Sequence, residues 1–200
     1  MQVNDGGTLE WNGDAYHRLS DVQFNVAMTL IDTLALKGDE SLLDAGCGSG
    51  RITQVLLSRL PKGRVIGADL SQSMLRTARR ECIAKPGQRV DFVVADLQTY
   101  VTPQPVDGIF SNMALHFVHD HAQMYRNFAA CLQPEGFLAL QFGHSQLHGE
   151  LRDNLMHLMN EPPFGPYLHA SAFNFRGCDP HNTRLFLQQA GFVNIEVSSL

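Results

Sequence analysis

The chain has 200 residues, enough to bury the core of one α/β domain, and its 44% hydrophobic and 18% charged residues are ordinary for a globular protein. A formal net charge of −5 and the absence of a basic stripe disfavour nucleic acid as a partner. No apolar run approaches the roughly 18–20 residues needed to cross a bilayer, and the first residues do not resemble a signal peptide. We therefore expect a cytoplasmic protein with no membrane partner.

The cysteines and histidines do not suggest a metal centre. The four cysteines are scattered without C-x-x-C spacing, which predicts reduced, mostly buried thiols and no disulfide framework: Cys47, Cys82, Cys131 and Cys178. Three histidines follow His116 in the sequence, and their spacing is not that of a metal site: His119, His121 and His144.

The residues before about Lys37 are predicted to form at least one helix, from Val22 to Leu36. We expect residues 1–37 to form a helical cap that packs outside the sheet and covers the ligand. Arg18 and Arg51 are candidates to pair with a ligand carboxylate.

The segment from Ser41 to Arg51 is the most informative in the chain. A short apolar run ends in Asp44 and predicts a buried parallel strand. The loop after it has glycines at alternating positions, so that a ligand can lie directly against its backbone: Gly46, Gly48 and Gly50, with Cys47 between the first two. The helix that follows, Ile52 to Leu60, would direct its N-terminal amides at an anionic group. A nucleotide-like cofactor is expected at this turn.

Two cofactor classes compete for this loop. The dinucleotide fingerprint G-x-G-x-x-G would place its third glycine at Arg51, whose side chain would block close packing of the helix. A nicotinamide-dependent oxidoreductase is therefore a poor fit, and the chain also lacks a Tyr-x-x-x-Lys pair.

Two more predicted strands end in an acid. The strand from Arg64 ends in Asp69, at the spacing where a carboxylate accepts hydrogen bonds from ribose hydroxyls, and Leu70 follows it. Ser71 is the predicted N-cap of a helix that extends to about Ala84. The next strand, from Val90, ends near Asp96 and Leu97.

A fourth strand from Val106 leads to a polar exit, where Ser111, Asn112 and Met113 leave the carboxyl end of the sheet. A helix near 121–132 follows, and Pro134 to Gly136 is expected to end it before a fifth strand near 136–142. The alternation of strands and helices predicts an α/β, Rossmann-like, doubly wound and mostly parallel sheet.

Together these four strands and the residues that follow them resemble the motifs of class I S-adenosylmethionine (SAM) dependent methyltransferases, from Ser41 to about Gly143. The opening segment Trp11 to Ser20 looks like the trans-aconitate and juvenile-hormone-acid methyltransferase branch, whose members methylate carboxylates. The resemblance implies SAM as cofactor, with S-adenosylhomocysteine as product, and a small-molecule carboxylate or other oxygen acceptor. It also argues against base amino groups as acceptors, because the Asn/Asp-Pro-Pro-aromatic sequence is missing.

The resemblance also implies site residues. Asp96 would receive the adenine amino group, and the backbone of Leu97 would read the ring. The expected cofactor-binding set is Asp44, Gly46, Cys47, Gly48, Gly50, Asp69, Leu70, Asp96, Leu97, Ser111 and Asn112. The acceptor would meet Tyr16, Arg18, Met113 and His116. His116 is also the candidate base for an acceptor that needs deprotonation, with a structural role as the alternative.

Beyond the core of residues 38–143, residues 144–200 are expected to contribute to the acceptor site. A helix is predicted from Leu147 to Met159, a proline- and aromatic-rich binding loop from Glu161 to Phe175, a helix from Asn182 to Ala190 and a strand from Val193 to Val197. Class I methyltransferases normally end in an antiparallel strand pair. Either the sequence is a fragment of a longer protein or the sheet is one strand short, and a non-catalytic SAM-binding or scaffold protein is an alternative.

Overall fold

The structure, a computed structural model, describes residues 2–3, 9–143, 157, 161–162 and 178–199. A two-stranded antiparallel pair, β1 (Gln2–Val3) and β2 (Leu9–Glu10), precedes the main sheet. In the described residues, the main sheet has five parallel strands: β3 (Ser41–Ala45), β4 (Arg64–Asp69), β5 (Arg89–Val94), β6 (Val106–Asn112) and β7 (Leu132–Gln141).

The strand order is β5-β4-β3-β6-β7. The chain moves outward from β3 through β4 to β5, then returns to place β6 on the other side of β3. The strand order thus reverses between β3 and β6, and open α/β sheets bind ligands outside the carboxyl ends of their strands at such a point. The fold class predicted from the sequence is confirmed.

Helices cover both faces of this sheet. They are α1 (Gly13–Leu19), α2 (Asp21–Ile31), α3 (Arg51–Ser58), α4 (Gln72–Glu81), α5 (His121–Cys131) and α6 (Pro180–Gln189). A single 3₁₀ turn, Leu115–Phe117, follows β6. No described helix has the length and apolar character required to cross a membrane.

The central strands are apolar on both faces, as the sequence predicted for β3. Leu43 and Ile109 pack on one face in a cluster with Phe128 of α5. Leu42 and Phe110 pack on the opposite face, in a cluster that includes residues of α2 and α3. This two-sided burial explains why the strands read as continuous hydrophobic runs in the sequence.

Side-chain caps fix the starts of several helices. Ser71 accepts a hydrogen bond from the backbone N–H of Met74, which confirms it as the N-cap of α4. Asp120 and Asp179 cap α5 and α6 in the same way. These caps satisfy N–H groups that have no partner within the helix.

The N-terminal prediction of at least one helix is confirmed, but its bounds were wrong. The cap contains two helices separated at Ser20, and α2 ends at Ile31 and not at Leu36. The break lets the chain turn between α1 and α2, so that each helix contacts a different part of the domain: α1 packs on α4, and α2 on α3 and β7.

Two predictions on the C-terminal side of the sheet were wrong. Helix α5 ends at Cys131, and Pro134 to Gly136 lie in an irregular start of β7 instead of ending the helix. Residues 192–199 form no strand, although Ile195 packs against the core and its carbonyl accepts a hydrogen bond from Arg184. The predicted helix at 147–159 and the loop at 161–175 lie almost entirely outside the described residues.

Core packing can be tested with two Leu→Ala substitutions in helices. Leu56 of α3 is 0% exposed, whereas Leu19 at the end of α1 is 80% exposed. We expect Leu56→Ala to lower the free energy of unfolding by about 2–5 kcal/mol, because it leaves a cavity in a packed core. Leu19→Ala should change it by less than about 0.5 kcal/mol. Denaturant unfolding measures both, and equal losses would contradict the described core.

Candidate functional site

A polar cleft opens at the carboxyl ends of the strands, where the strand order reverses. It encloses about 410 Å³ of empty space, part of it open to solvent. The cap helices, the glycine loop after β3, the start of α3 and the end of β6 line it, through Tyr16, Ser20, Gln23, Phe24, Asp44, Gly46, Cys47, Gly48, Ser49, Arg51, Ile52 and Asn112.

The glycine loop forms the floor of this cleft. Gly46 and Gly50 have φ angles of 79° and 83°, in the left-handed region that favours glycine. A Cβ atom on Gly46 would overlap the Ala114 side chain, and one on Gly50 would lie 2.7 Å from the Cys82 sulfur. Gly48 faces the cleft instead. A Cβ atom placed on it would lie 3.7 Å from the Tyr16 ring, an ordinary van der Waals contact. The loop is therefore packed on its outer sides and open toward a ligand.

Asp69, at the end of β4, joins the glycine loop to the next helix. Its Oδ2 accepts a hydrogen bond of 2.8 Å from the N–H of Gly48, and its Oδ1 accepts one of 2.8 Å from the N–H of Ser71. Burial raises the pKa of this carboxyl, and the bonded N–H groups oppose that rise. Each oxygen keeps a further lone pair, as a contact with ribose hydroxyls would require.

Asp44 is the most deeply buried acid of the cleft, at 2% exposed. Its Oδ2 accepts a hydrogen bond of 2.6 Å from the Thr53 hydroxyl. Burial raises the pKa of Asp44 to about 7, and the nearby Asp69 carboxylate raises it further, against the lowering effect of the Thr53 bond. A cationic group bound beside Asp44 would restore its ionised form.

The three residues predicted for the adenosine end follow β4 and β5. Leu70 is 61% exposed and presents an apolar surface to solvent, as a residue covered only by a ligand would. Asp96 accepts a hydrogen bond from the backbone N–H of Gln98, and Leu97 is buried in the core, which leaves only its backbone for ring recognition. The adenine assignments stay predictions.

The exit of β6 has a structural part and a cleft-facing part. The buried Ser111 hydroxyl donates to the carbonyl of Ala45 at 2.6 Å and so joins β6 to β3, and its role in cofactor binding stays a prediction. Asn112 lines the cleft, and its Nδ2 donates to the carbonyl of Gln23 at 3.0 Å. Met113 adopts a left-handed φ of 53° as the chain turns away from the sheet.

Arg51 fastens the cap to the glycine loop. Its Nη1 donates to the carbonyl of His17, the hydroxyl of Ser20 and the carboxylate of Asp21, and its guanidinium stacks on a cap aromatic ring. The sequence offered Arg51 as a partner for a ligand carboxylate, but its contacts in the structure are with the cap. The other candidate, Arg18, is exposed.

Other cleft residues were missed by the sequence analysis. Ser49 belongs to the glycine loop, and its hydroxyl lies 3.1 Å from Nδ1 of His17, a second link between cap and loop. Ser20 and Phe24 were also missed. Gln23 and Phe24 lie three and four positions after Ser20, the spacing at which helical residues share a face with it, and this spacing was the available signal.

His116 lies in the 3₁₀ turn after β6 and is 3% exposed, with its ring against that of Phe117. It is not among the residues that line the cleft, and its role as a base stays a prediction. Trp11 contacts both Tyr16 and Phe117 edge-on, at 5.8 and 6.0 Å between ring centroids. Aromatic rings thus extend from the cleft toward the His116 side.

The thiols near the loop are buried and protonated. Burial raises the pKa of Cys47 well above its usual value and that of Cys82 to about 12. In the part of the chain that the structure describes, no group of three His, Cys, Asp or Glu residues could hold a metal ion.

The residues present fit a SAM-like cofactor. The open face at Gly48, the acceptors of Asp69 and the buried Asp44 match a glycine-loop cradle, a ribose and a cationic amino-acid end. The buried oxygens Oε1 of Gln23 and Oδ1 of Asn112, which have no hydrogen-bond donor among the described residues, also call for a donor from a ligand.

Comparison with known proteins gives a consistent family relationship. Residues 42–136 match the family described as "Methyltransferase domain". The chain is 31% identical over 197 residues to the trans-aconitate 2-methyltransferase of Azoarcus sp. (strain BH72), covering 92% of this chain and 74% of that protein. It is 35% identical over 132 residues to the enzyme of the same name from Acidovorax ebreus (strain TPSY), covering 66% of this chain and 49% of that protein.

A solved structure supports the fold. Phosphoethanolamine N-methyltransferase 2 of Haemonchus contortus, in complex with S-adenosyl-L-methionine, superposes with a TM-score of 0.67 at 23% identity. The match covers 86% of this chain and 38% of that one.

The pKa of Asp44 can be tested through stability. Because its folded-state value of about 7 lies above the ordinary 3.8, its contribution to stability is full below pH 3.8 and is lost as the pH rises toward 7. Asp44→Asn removes this loss. Between pH 5 and pH 8, we expect the unfolding free energy of the variant to rise relative to wild type by on the order of 2 kcal/mol. Urea unfolding at both pH values measures this, and a constant difference would contradict a raised pKa.

Proposed function

The chain belongs to the class I SAM-dependent methyltransferases, and on that premise we propose that it transfers a methyl group from SAM to a carboxylate oxygen of a small organic acid. The observation that supports this acceptor most directly is the 31% identity, over 92% of the chain, to a trans-aconitate 2-methyltransferase. The product pair would be a methyl ester and S-adenosylhomocysteine.

When bound, SAM supplies a sulfonium methyl group that a nucleophile displaces in line. The chain has to bind the cofactor and the acceptor, orient them for the displacement and shield them from water. Asp69 would hold the ribose and keep the glycine loop in place, while Asp44 would face the cationic amino-acid end. Fixing donor and acceptor in attack geometry can supply about 7–11 kcal/mol of the barrier reduction.

A carboxylate acceptor would need no general base from the residues of this cleft. Neither histidine nor lysine is among the described residues that line it. A carboxylate is anionic at neutral pH and needs no base, unlike a phenol or an amine. The cap, fastened by Arg51 and Ser49, would exclude water from the bound cofactor.

Two alternatives from the sequence remain to be compared with this proposal. The relatives and the family match are methyltransferases, which gives no support to a nicotinamide-dependent oxidoreductase. A SAM-binding protein without catalysis would bind cofactor but produce no S-adenosylhomocysteine, so turnover separates it from the proposal.

The acceptor class can be determined by incubating the chain with SAM and a panel of acceptors. The panel should include trans-aconitate, saturated di- and tricarboxylates, phenols and primary amines. We expect a methyl ester that mild base hydrolyses to methanol, formed in equal amount with S-adenosylhomocysteine, from carboxylates alone. Base-stable methylation of phenols or amines would contradict a carboxylate acceptor. Cofactor binding without any turnover would favour the non-catalytic alternative.

The ribose assignment can be tested with Asp69→Ala. We expect this variant to bind S-adenosylhomocysteine at least roughly tenfold more weakly, since it loses a buried acceptor and frees the loop N–H of Gly48. Asp39→Ala, which alters an exposed acid, is the control and should keep wild-type affinity. Calorimetric titration gives both values, and unchanged affinity in folded Asp69→Ala would overturn the assignment.

A further inference from the structure

We propose that the side-chain carboxamide of Gln23, on the cap helix α2, binds the ammonium group at the amino-acid end of the cofactor, so that the cap supplies part of the cofactor site. This inference rests on the cofactor of the proposed function. It adds a binding residue outside the glycine loop and the strand ends.

Helix α2 is held over the carboxyl ends of β6 and β7. The Asn112 side chain donates to the backbone carbonyl of Gln23 at 3.0 Å, which fixes this turn of α2 above the end of β6. Asn112 is the register partner of Gln141 on β7, so their side chains emerge on the same face of the sheet, toward α2. Three carboxamides therefore lie near the carboxyl ends of β6 and β7, on the α2 side of the sheet.

The side-chain oxygens of these three carboxamides lack hydrogen-bond donors. Oε1 of Gln23, Oδ1 of Asn112 and Oε1 of Gln141 are all buried, and no donor of the described residues is within hydrogen-bond distance of any of them. Buried acceptors normally have partners. Gln23 and Asn112 line the cleft, so a ligand there can supply the missing donors.

The groups that line this part of the cleft are hydrogen-bond acceptors, and one of them is an acid. The same cleft includes Asp44, a buried carboxyl that hydrogen-bonds Thr53. Two carboxamide oxygens and a carboxylate are all acceptors, which favours a ligand group with several N–H donors and a positive charge. A primary ammonium has three such donors. The amino-acid end of SAM and of S-adenosylhomocysteine contains one.

Gln23 would add a connection between the cap and the sheet that depends on the bound cofactor. Arg51 and Ser49 already join the cap to the loop through His17, Ser20 and Asp21. An ammonium held between Gln23 on α2 and Asp44 on β3 would form a further bridge between cap and sheet. This bridge would exist only when the cofactor is bound.

The test compares two ligands on two variants. S-adenosylhomocysteine has the ammonium, and its desamino analogue keeps the carboxylate and nucleoside but lacks the ammonium. Gln23→Met keeps the length of the side chain and removes its acceptor, while Asn25→Ala changes an exposed amide on the same helix. Circular dichroism and thermal unfolding first establish that each variant is folded.

We expect Gln23→Met to weaken S-adenosylhomocysteine roughly tenfold to a hundredfold, the effect of a lost hydrogen bond to a charged group, and to leave the desamino analogue unchanged. Asn25→Ala should bind both ligands like wild type. Equal loss for both ligands, or no loss for either, would overturn this inference alone. A folded wild-type chain that binds neither ligand would overturn the proposed function and this inference with it.

Discussion

The site depends first on the carboxylate of Asp69. One oxygen holds the N–H of Gly48 and the other holds the N–H of Ser71, so a single side chain joins the glycine loop to the start of α4. The loop in turn determines where α3 begins and which face of Gly48 is open. The cap is then fastened to this loop through Arg51 and Ser49. The cleft exists because these connections converge on the strand ends beside β3 and β6.

The same site places two acids where water is scarce. Burial raises the pKa of both Asp44 and Asp69, which is unfavourable for the folded chain at neutral pH. A cationic cofactor offsets this, because it favours the ionised carboxylates. Binding strength and stability of the free chain are therefore opposed at Asp44. Acids whose pKa values are raised by burial in this way are characteristic of functional sites.

The sequence predicted the parts of the fold that local pattern determines. β3 and β4 are found at their predicted residues because continuous apolar runs mark strands buried on both faces, and Ser71 caps α4 as its side-chain chemistry predicts. The predicted strand at Val193 to Val197 is not formed, because a strand requires a pairing partner and the described residues provide none for it. The bonds from Arg51 to the cap were not predicted, because its partners lie about 30 residues away in the sequence and no local pattern specifies the orientation of the cap. A contact between Arg51 and a ligand carboxylate stays a prediction.

Calorimetric titration of the wild-type chain with S-adenosylhomocysteine, and separately with NAD, tests the central claim that this cleft is a SAM site. If the cleft is a SAM site, S-adenosylhomocysteine binds at one site with micromolar affinity and NAD shows no measurable binding. A folded chain that binds NAD, or that fails to bind S-adenosylhomocysteine, would contradict it.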